Sequence, residues 1–343
     1  MNFTFKNSGK NTSIFLAFCI IILFLSNVFF GSVSIPIHET WNILMGKAEA
    51  DSPWRYIIME SRLPQALTAL LAGAGLAVSG LMLQTAFDNP LAGPSILGIT
   101  SGASLGVAIV MMAMNGIVTA GTLTIGGYIA TILSAAIGSI IIMGLLLLFS
   151  NLLKNNLLLL ITGIMLGYIT TSIISLLNYT TTEQGLQNYT LWGLGNFNGV
   201  SWEYMPFFCI SMAFGIGIAL SLIKPLNALL LGNQYAENLG VNLKKVRNLL
   251  LFSTGLLCAI ITAFCGPISF IGLAVPHIAR LILHSSNHRS LMPITLLCGA
   301  TIALLCNLLC TLPNELVIPL NAVTPIIGAP VIIYVICSKR FKE

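Results

Sequence analysis

Residues 121–149 read GTLTIGGYIATILSAAIGSIIIMGLLLLF without one charged side chain, and runs of this kind recur along the chain. Crossing about 30 Å of hydrocarbon takes roughly 18 or more apolar residues in helical form. Inside lipid every backbone polar group has to be satisfied internally, which leaves helices or closed barrels. The runs are too long and too uniformly apolar for the short alternating segments of a barrel. Only 7% of the 343 residues are charged, against about a quarter in soluble domains, so a soluble globular fold is excluded. The expected fold class is all-α: a polytopic membrane protein with about ten transmembrane helices, forming one membrane domain over 1–343.

The expected spans are 14–30, 64–86, 93–114, 121–149, 157–179, 204–223, 249–265, 268–284, 291–311 and 325–338. Gly266-Pro267 separates the seventh from the eighth, because proline lacks a backbone donor and its ring clashes with the preceding turn. With the N-terminus inside, Lys6, Lys10, Lys154, Lys224, Lys244, Lys245, Arg247, Arg280, Arg289, Lys339, Arg340 and Lys342 lie on the cytosolic side, and only Lys47, Arg55 and Arg62 lie outside. The positive-inside rule selects this orientation. Both termini are then cytosolic, and Glu39, Glu49, Asp51, Glu60, Glu183, Glu203 and Glu315 are external. The net charge of +5 is thus a topology signal, and no nucleic-acid partner is expected. A cleaved signal peptide over 14–30 is the alternative reading of the first run. The eight cysteines fall in or beside the spans. Cys306 and Cys310, one turn apart, have no nearby His or acidic ligand, so they read as packing residues and no metal site is expected.

Few polar features interrupt the runs. Gly98, Gly102 and Gly106 repeat every four positions, which suits close helix packing or a narrow translocation path. Thr170, Thr171 and Asn178 mark the fifth span; threonines there also satisfy themselves on their own helix. Intramembrane charges are nearly absent, which argues against a proton- or sodium-driven pump. Ser101 and His277 do not form a hydrolase setting, because the G-x-S-G elbow is missing. The segment 226–240 breaks the apolar pattern between spans six and seven. Gly232 and Gly240 are natural helix stops there, so two short helices forming a cytosolic knob are expected.

In order along the chain stand Arg62-Leu63-Pro64; Gly80 and Gln84 before Asn89-Pro90-Leu91-Ala92; Ile96-Leu97-Gly98 with Gly102-Ala103; and Leu191-Trp192-Gly193. Ala236 with Leu239-Gly240 follows, then Gly266-Pro267, Phe270-Ile271-Gly272-Leu273, Pro276-His277 and Arg280, and Thr324 with Gly328-Ala329-Pro330. This ordered set resembles the permease subunit of the binding-protein-dependent ABC importers for iron–siderophore complexes, haem and cobalamin. The resemblance implies a ten-span permease acting as a homodimer in the bacterial cytoplasmic membrane, with two ABC ATPase subunits below and an extracytoplasmic substrate-binding protein above. It implies that 226–240 forms coupling helices, with Leu231, Gly232, Tyr235, Ala236, Glu237, Leu239 and Gly240 meeting the ATPase, and Ala236 and Gly240 small because that contact is close. It also implies binding-protein docking through Arg62, aided by Arg55. Gln65 stands where related permeases commonly carry a second arginine, and Pro319-Leu320-Asn321 stands where Pro-x-Gly is usual. His277 and Arg280 are expected to support the coupling interface structurally.

A phosphate-cradling G-x-x-x-x-G-K-[ST] loop is missing: Gly9-Lys10 precedes Asn11 and Gly46-Lys47 precedes Ala48. The expected function is therefore non-enzymatic, with no cofactor: import of a metal chelate by alternating access, powered by a separate chain. A stand-alone secondary carrier is the alternative.

Overall fold

The computed structural model describes residues 3–47, 52–114, 117–120, 123–153, 155–312 and 317–340. Lys154, Glu49, Asp51, Glu315 and Lys342 of the orientation argument lie outside the described residues.

Fifteen α-helices run along the described chain: α1 Phe3–Phe29, α2 Ile37–Leu44, α3 Pro53–Tyr56, α4 Leu63–Ala86, α5 Ile99–Ala108, α6 Gly127–Leu152, α7 Asn156–Thr180, α8 Glu183–Gly193, α9 Met205–Ser221, α10 Ile223–Leu229, α11 Asn233–Asn238, α12 Leu243–Cys265, α13 Ile271–Leu283, α14 His288–Thr311 and α15 Leu320–Arg340. A π-helical stretch, Ile57–Arg62, joins α3 to α4, and another, Ile109–Ala113, extends α5. The strands β1 (Ile117–Ala120) and β2 (Leu123–Gly126) pair antiparallel before α6, with Ile117 opposite Gly126. The fold is all-α and polytopic.

Among the described residues six helical segments are long and apolar enough to cross a membrane, and α9 with α10, bent by 48°, makes a seventh if the pair is one span. The other three expected positions hold the shorter apolar helices Ile99–Ala113, Ile271–Leu283 and Leu320–Val335. Two of these shortfalls have a backbone cause. Gly98 turns left-handed at φ 76° and separates a 3-10 turn, Pro94–Leu97, from α5. Gly266 at φ 73° and Phe270 at φ 66° bound the five residues held out of helix between α12 and α13. About 15 residues rise only some 22 Å at 1.5 Å each, short of the hydrocarbon thickness. The kink between α9 and α10 falls where Pro225 removes the donor that would reach Ser221.

Two compact units divide the chain. The first comprises Met1–Ala77, Asn196–Met212 and Phe270–Glu343. At its centre is a buried amide chain: Gln65 Nε2 donates to Asn307 Oδ1 at 2.9 Å, and Asn307 Nδ2 donates to Asn27 Oδ1 at 2.8 Å. Asn27 Nδ2 completes it on the Leu23 and Leu304 carbonyls, at 2.7 and 3.0 Å. This ties α1, α4 and α14 by groups that have no water to turn to. Beside it Gly73 and Gly299 bring α4 and α14 into backbone contact, so a Cβ on either would collide with the other's carbonyl.

The second unit comprises Val78–Gly195 and Ala213–Ser269. Its core is the α5–α6 seam together with α12, whose inward face runs unbroken from Leu257 to Cys265. A Cβ on Gly102 would lie 2.6 Å from the Gly138 carbonyl oxygen, and one on Gly106 would collide with that of Ser134. Ser253 Oγ donates to the Gly215 carbonyl at 2.8 Å and fixes α12 against α9.

Candidate functional site

The polar break between α9 and α12 folds as two short helices separated and ended by glycine. Gly232, at φ 98°, follows α10, and its carbonyl accepts from the Ala236 N–H at 3.0 Å as α11 begins. Gly240, at φ 83°, closes α11: its N–H donates to Glu237 and that of Val241 to Ala236, the two reverse bonds of a Schellman cap. Asn242 then caps α12, its Oδ1 accepting from the Lys245 N–H at 2.9 Å. Leu231, Tyr235 and Leu239 are 55–62% exposed, apolar side chains on and beside a helix, α11, whose other residues are Asn, Gln and Glu around one alanine. Glu237 is exposed beside them.

The small residues each answer to a requirement inside the chain. Ala236 is fully buried inside its own fold, so its size answers to the packing beneath α11. A Cβ on Gly240 would meet nothing within 4 Å; glycine is needed there for the left-handed backbone. Both requirements are internal to the knob.

A polar clasp behind the knob was not anticipated from the sequence. Arg247, in the first turns of α12, donates to the Ser150 carbonyl at the end of α6 and to Asn156 Oδ1 at 3.5 Å. Asn156 Nδ2 in turn donates to the Ala86 carbonyl at 2.7 Å, where α4 ends. Ser150 Oγ donates to Asn248 Oδ1 at 3.0 Å and Asn248 Nδ2 to Asn151 Oδ1 at 3.2 Å. The start of α12, which the knob leads into, is thereby bonded to the ends of three helices. Expected to be an inner-surface anchor, Arg247 is half-buried in this clasp.

Arg62 does not sit as an exposed cation. It is 5% exposed, and its guanidinium donates to the Val28 carbonyl at 3.1 Å, the Phe29 carbonyl at 2.9 Å and the Val33 carbonyl. Those carbonyls lie at and beyond the C-terminus of α1, the negative end of the helix dipole, and they satisfy an otherwise costly buried charge. Gln65, one turn on, faces the buried Asn307. Of the three expected docking residues only Arg55, in α3, is exposed. Trp202 Nε1 bonds the Met59 carbonyl at 2.7 Å and holds the π-helical stretch that leads to Arg62.

The glycine series also separates. Gly102 and Gly106 pack on α6, whereas Gly98 caps α5 and faces α7, where its Cβ would lie 2.9 Å from the Gly163 carbonyl oxygen. On α7, Thr170 is buried and Thr171 exposed, and both hydroxyls bond the Gly167 carbonyl, at 2.8 and 2.9 Å. Asn178 is exposed near the helix end, with Tyr168 64% and Tyr179 92% exposed along the same helix. On α13, His277 is buried and Arg280 partly buried one turn later. Asn321 lies inside the first turn of α15, where the N–H of Ala322 donates to the Pro319 carbonyl at 3.0 Å.

Many apolar helices, packed through glycine and threaded with internally satisfied amides, define a polytopic membrane protein. The chain matches the FecCD transport family over residues 19–338. It is 34% identical to the molybdate import system permease protein MolB of Haemophilus influenzae over 92% of both chains. It is 35% identical to the vitamin B12 import system permease protein BtuC of Photorhabdus laumondii over 82% of both. A solved inward-facing metal-chelate type ABC transporter superimposes with a TM-score of 0.83 at 31% identity, covering 96% of this chain and 99% of that one. The chain belongs to the FecCD transport family, and is a transport permease.

Proposed function

We propose that the protein is the transmembrane subunit of an ATP-driven importer, working as a homodimer with two ATPase subunits on the cytosolic side and a substrate-binding protein outside. The observation that carries this reading is the knob: Leu231, Tyr235 and Leu239 exposed on a glycine-bounded helix pair that leads directly into the Arg247 clasp. A surface of that kind suits a partner protein, because an apolar cluster left in water costs about 25 cal/mol per Å². Closure of two ATPase subunits would push on α11. The clasp would pass that displacement from the start of α12 to the ends of α6, α7 and α4.

In this reading both termini are cytosolic, and the exposed face of α7, with Thr171 and Asn178, lines the path between protomers. Docking of the binding protein uses the exposed Arg55, while Arg62 fixes the end of α1 close by. His277 and Arg280 support the cytosolic end of α13. The cargo is a metal chelate such as an iron–siderophore, haem or cobalamin, as the names of the B12 permeases and of the chelate transporter suggest. The similarity to the molybdate permease favours a second reading, an oxyanion cargo. The test is uptake by reconstituted vesicles containing the ATPase. Leu231→Asp with Leu239→Asp should abolish ATP-driven uptake while the permease stays folded; uptake equal to wild type would overturn the coupling assignment.

A further inference from the structure

At one end of the first unit, α1 and the turn between α13 and α14 enclose an open cleft of about 590 Å³. Lys10 lines it from α1, His284 from the turn and Arg289 from the first turn of α14; Ser13 and Ser290 add hydroxyls, and Ile294 part of its apolar wall. No carboxylate lines it among the described residues. Two cations from segments some 280 positions apart thus line one cleft that has no carboxylate among its described lining residues. An anion bound there would be attracted by both.

The cleft's level is fixed by the helices that make it. The spans expected for these helices, 14–30 and 291–311, begin just after Lys10 and Arg289, which puts the cleft at the level where α1 and α14 enter the membrane. From it the exposed Ile14, Phe15 and Phe18 continue along α1, each about 60% exposed. An anion with apolar chains attached would fit cations at the headgroup level and an apolar track below them, whereas a free anion would use only the first.

We propose that this cleft is a binding site for an anionic phospholipid, its phosphate held by Lys10 and Arg289 and its acyl chains laid along α1. Basic pockets between membrane helices on the cytosolic face bind such headgroups. The cytosolic placement rests on the orientation proposed above. Binding itself does not, because a lipid of this charge would occupy the cleft in either orientation.

The test uses full-length protein in detergent, titrated with phosphatidylglycerol, with phosphatidylcholine of the same chains, or with inorganic phosphate, and read by native mass spectrometry. Phosphatidylglycerol should bind in preference to phosphatidylcholine. Lys10→Gln with Arg289→Gln should weaken that binding about 30-fold, from two surface cations each contributing about one kilocalorie per mole. Both side chains are exposed, so the fold should tolerate their loss. Ser290→Trp fills the cleft while keeping both charges, and it should displace the lipid as well. Equal binding of the two lipids, or undiminished phosphatidylglycerol binding in both variants, would overturn the proposal. Retention of inorganic phosphate with no preference for phosphatidylglycerol would overturn it too, making the cleft a free-anion site.

Discussion

Replacing Asn307 by leucine tests whether the buried amide chain is a structural clasp. The substitution removes the bond from Gln65 Nε2 and the bond to Asn27 Oδ1, at 2.9 and 2.8 Å, in a site where Asn307 is 3% exposed. Side-chain bonds between membrane helices contribute about 0.6 kcal/mol on average and up to about 1.7. Two polar atoms are then left without partners, and a buried orphan costs about 1–3 kcal/mol. The expected loss for Asn307→Leu is about 2–4 kcal/mol. Changing Asn27, Gln65 and Asn307 together to leucine should cost less than the three single changes summed, because no orphan remains. The assay is equilibrium unfolding in mixed SDS micelles, with a double-mutant cycle between Asn27 and Asn307. A single-variant loss below about 0.5 kcal/mol, or strict additivity across the cycle, would refute the reasoning; either would mean the amides do not depend on one another.

Further outcomes follow from the same geometry. Gln65→Arg should lower thermal stability without raising affinity for a binding protein, because this position faces Asn307; tighter, more salt-sensitive docking would contradict that. Arg55→Glu should weaken binding-protein association and alter its salt dependence, measured by surface plasmon resonance at two ionic strengths. Arg62→Gln should destabilise the fold by about 1.5–3 kcal/mol through lost charged bonds; a thermal melt unchanged from wild type would remove it from the end of α1. Gly106→Leu should collapse folded yield because its Cβ meets the Ser134 carbonyl, whereas Gly144→Ala, with no atom within 4 Å of the added carbon, should be neutral or stabilising. Gel-filtration yields of the two variants would check this.

Each of the ten apolar runs overlaps a helix, because hydropathy is a local property and each run had to be buried in something. They did not tell which would fall short of the membrane thickness. The breaks at Gly98 and Phe270 come from left-handed backbone that no hydropathy average registers. Gly232 and Gly240 were legible as helix ends because few other residues adopt that conformation cheaply. The burial of Ala236 was not, since a small residue suits an interface and a crowded interior equally. Asn27 and Asn307 are 280 positions apart, and nothing local to either says that they meet. Arg62 raised the same difficulty. A lone arginine near a helix start reads as a surface charge until the carbonyls of Val28, Phe29 and Val33 are seen around it. The Arg247 clasp had a faint signal in the Asn and Ser residues at three helix ends, but only the fold brings those ends together.

In the proposed mechanism this permease takes its energy from another chain through α10 and α11. The most direct measurement is mass spectrometry of the chains that co-purify with the detergent-solubilised protein from its native membrane, for wild type and for the Leu231→Asp/Leu239→Asp variant. A stoichiometric ABC ATPase is expected with the wild type, and its loss from the variant. A wild-type oligomer that carries no ATPase and transports its cargo alone in liposomes would contradict it.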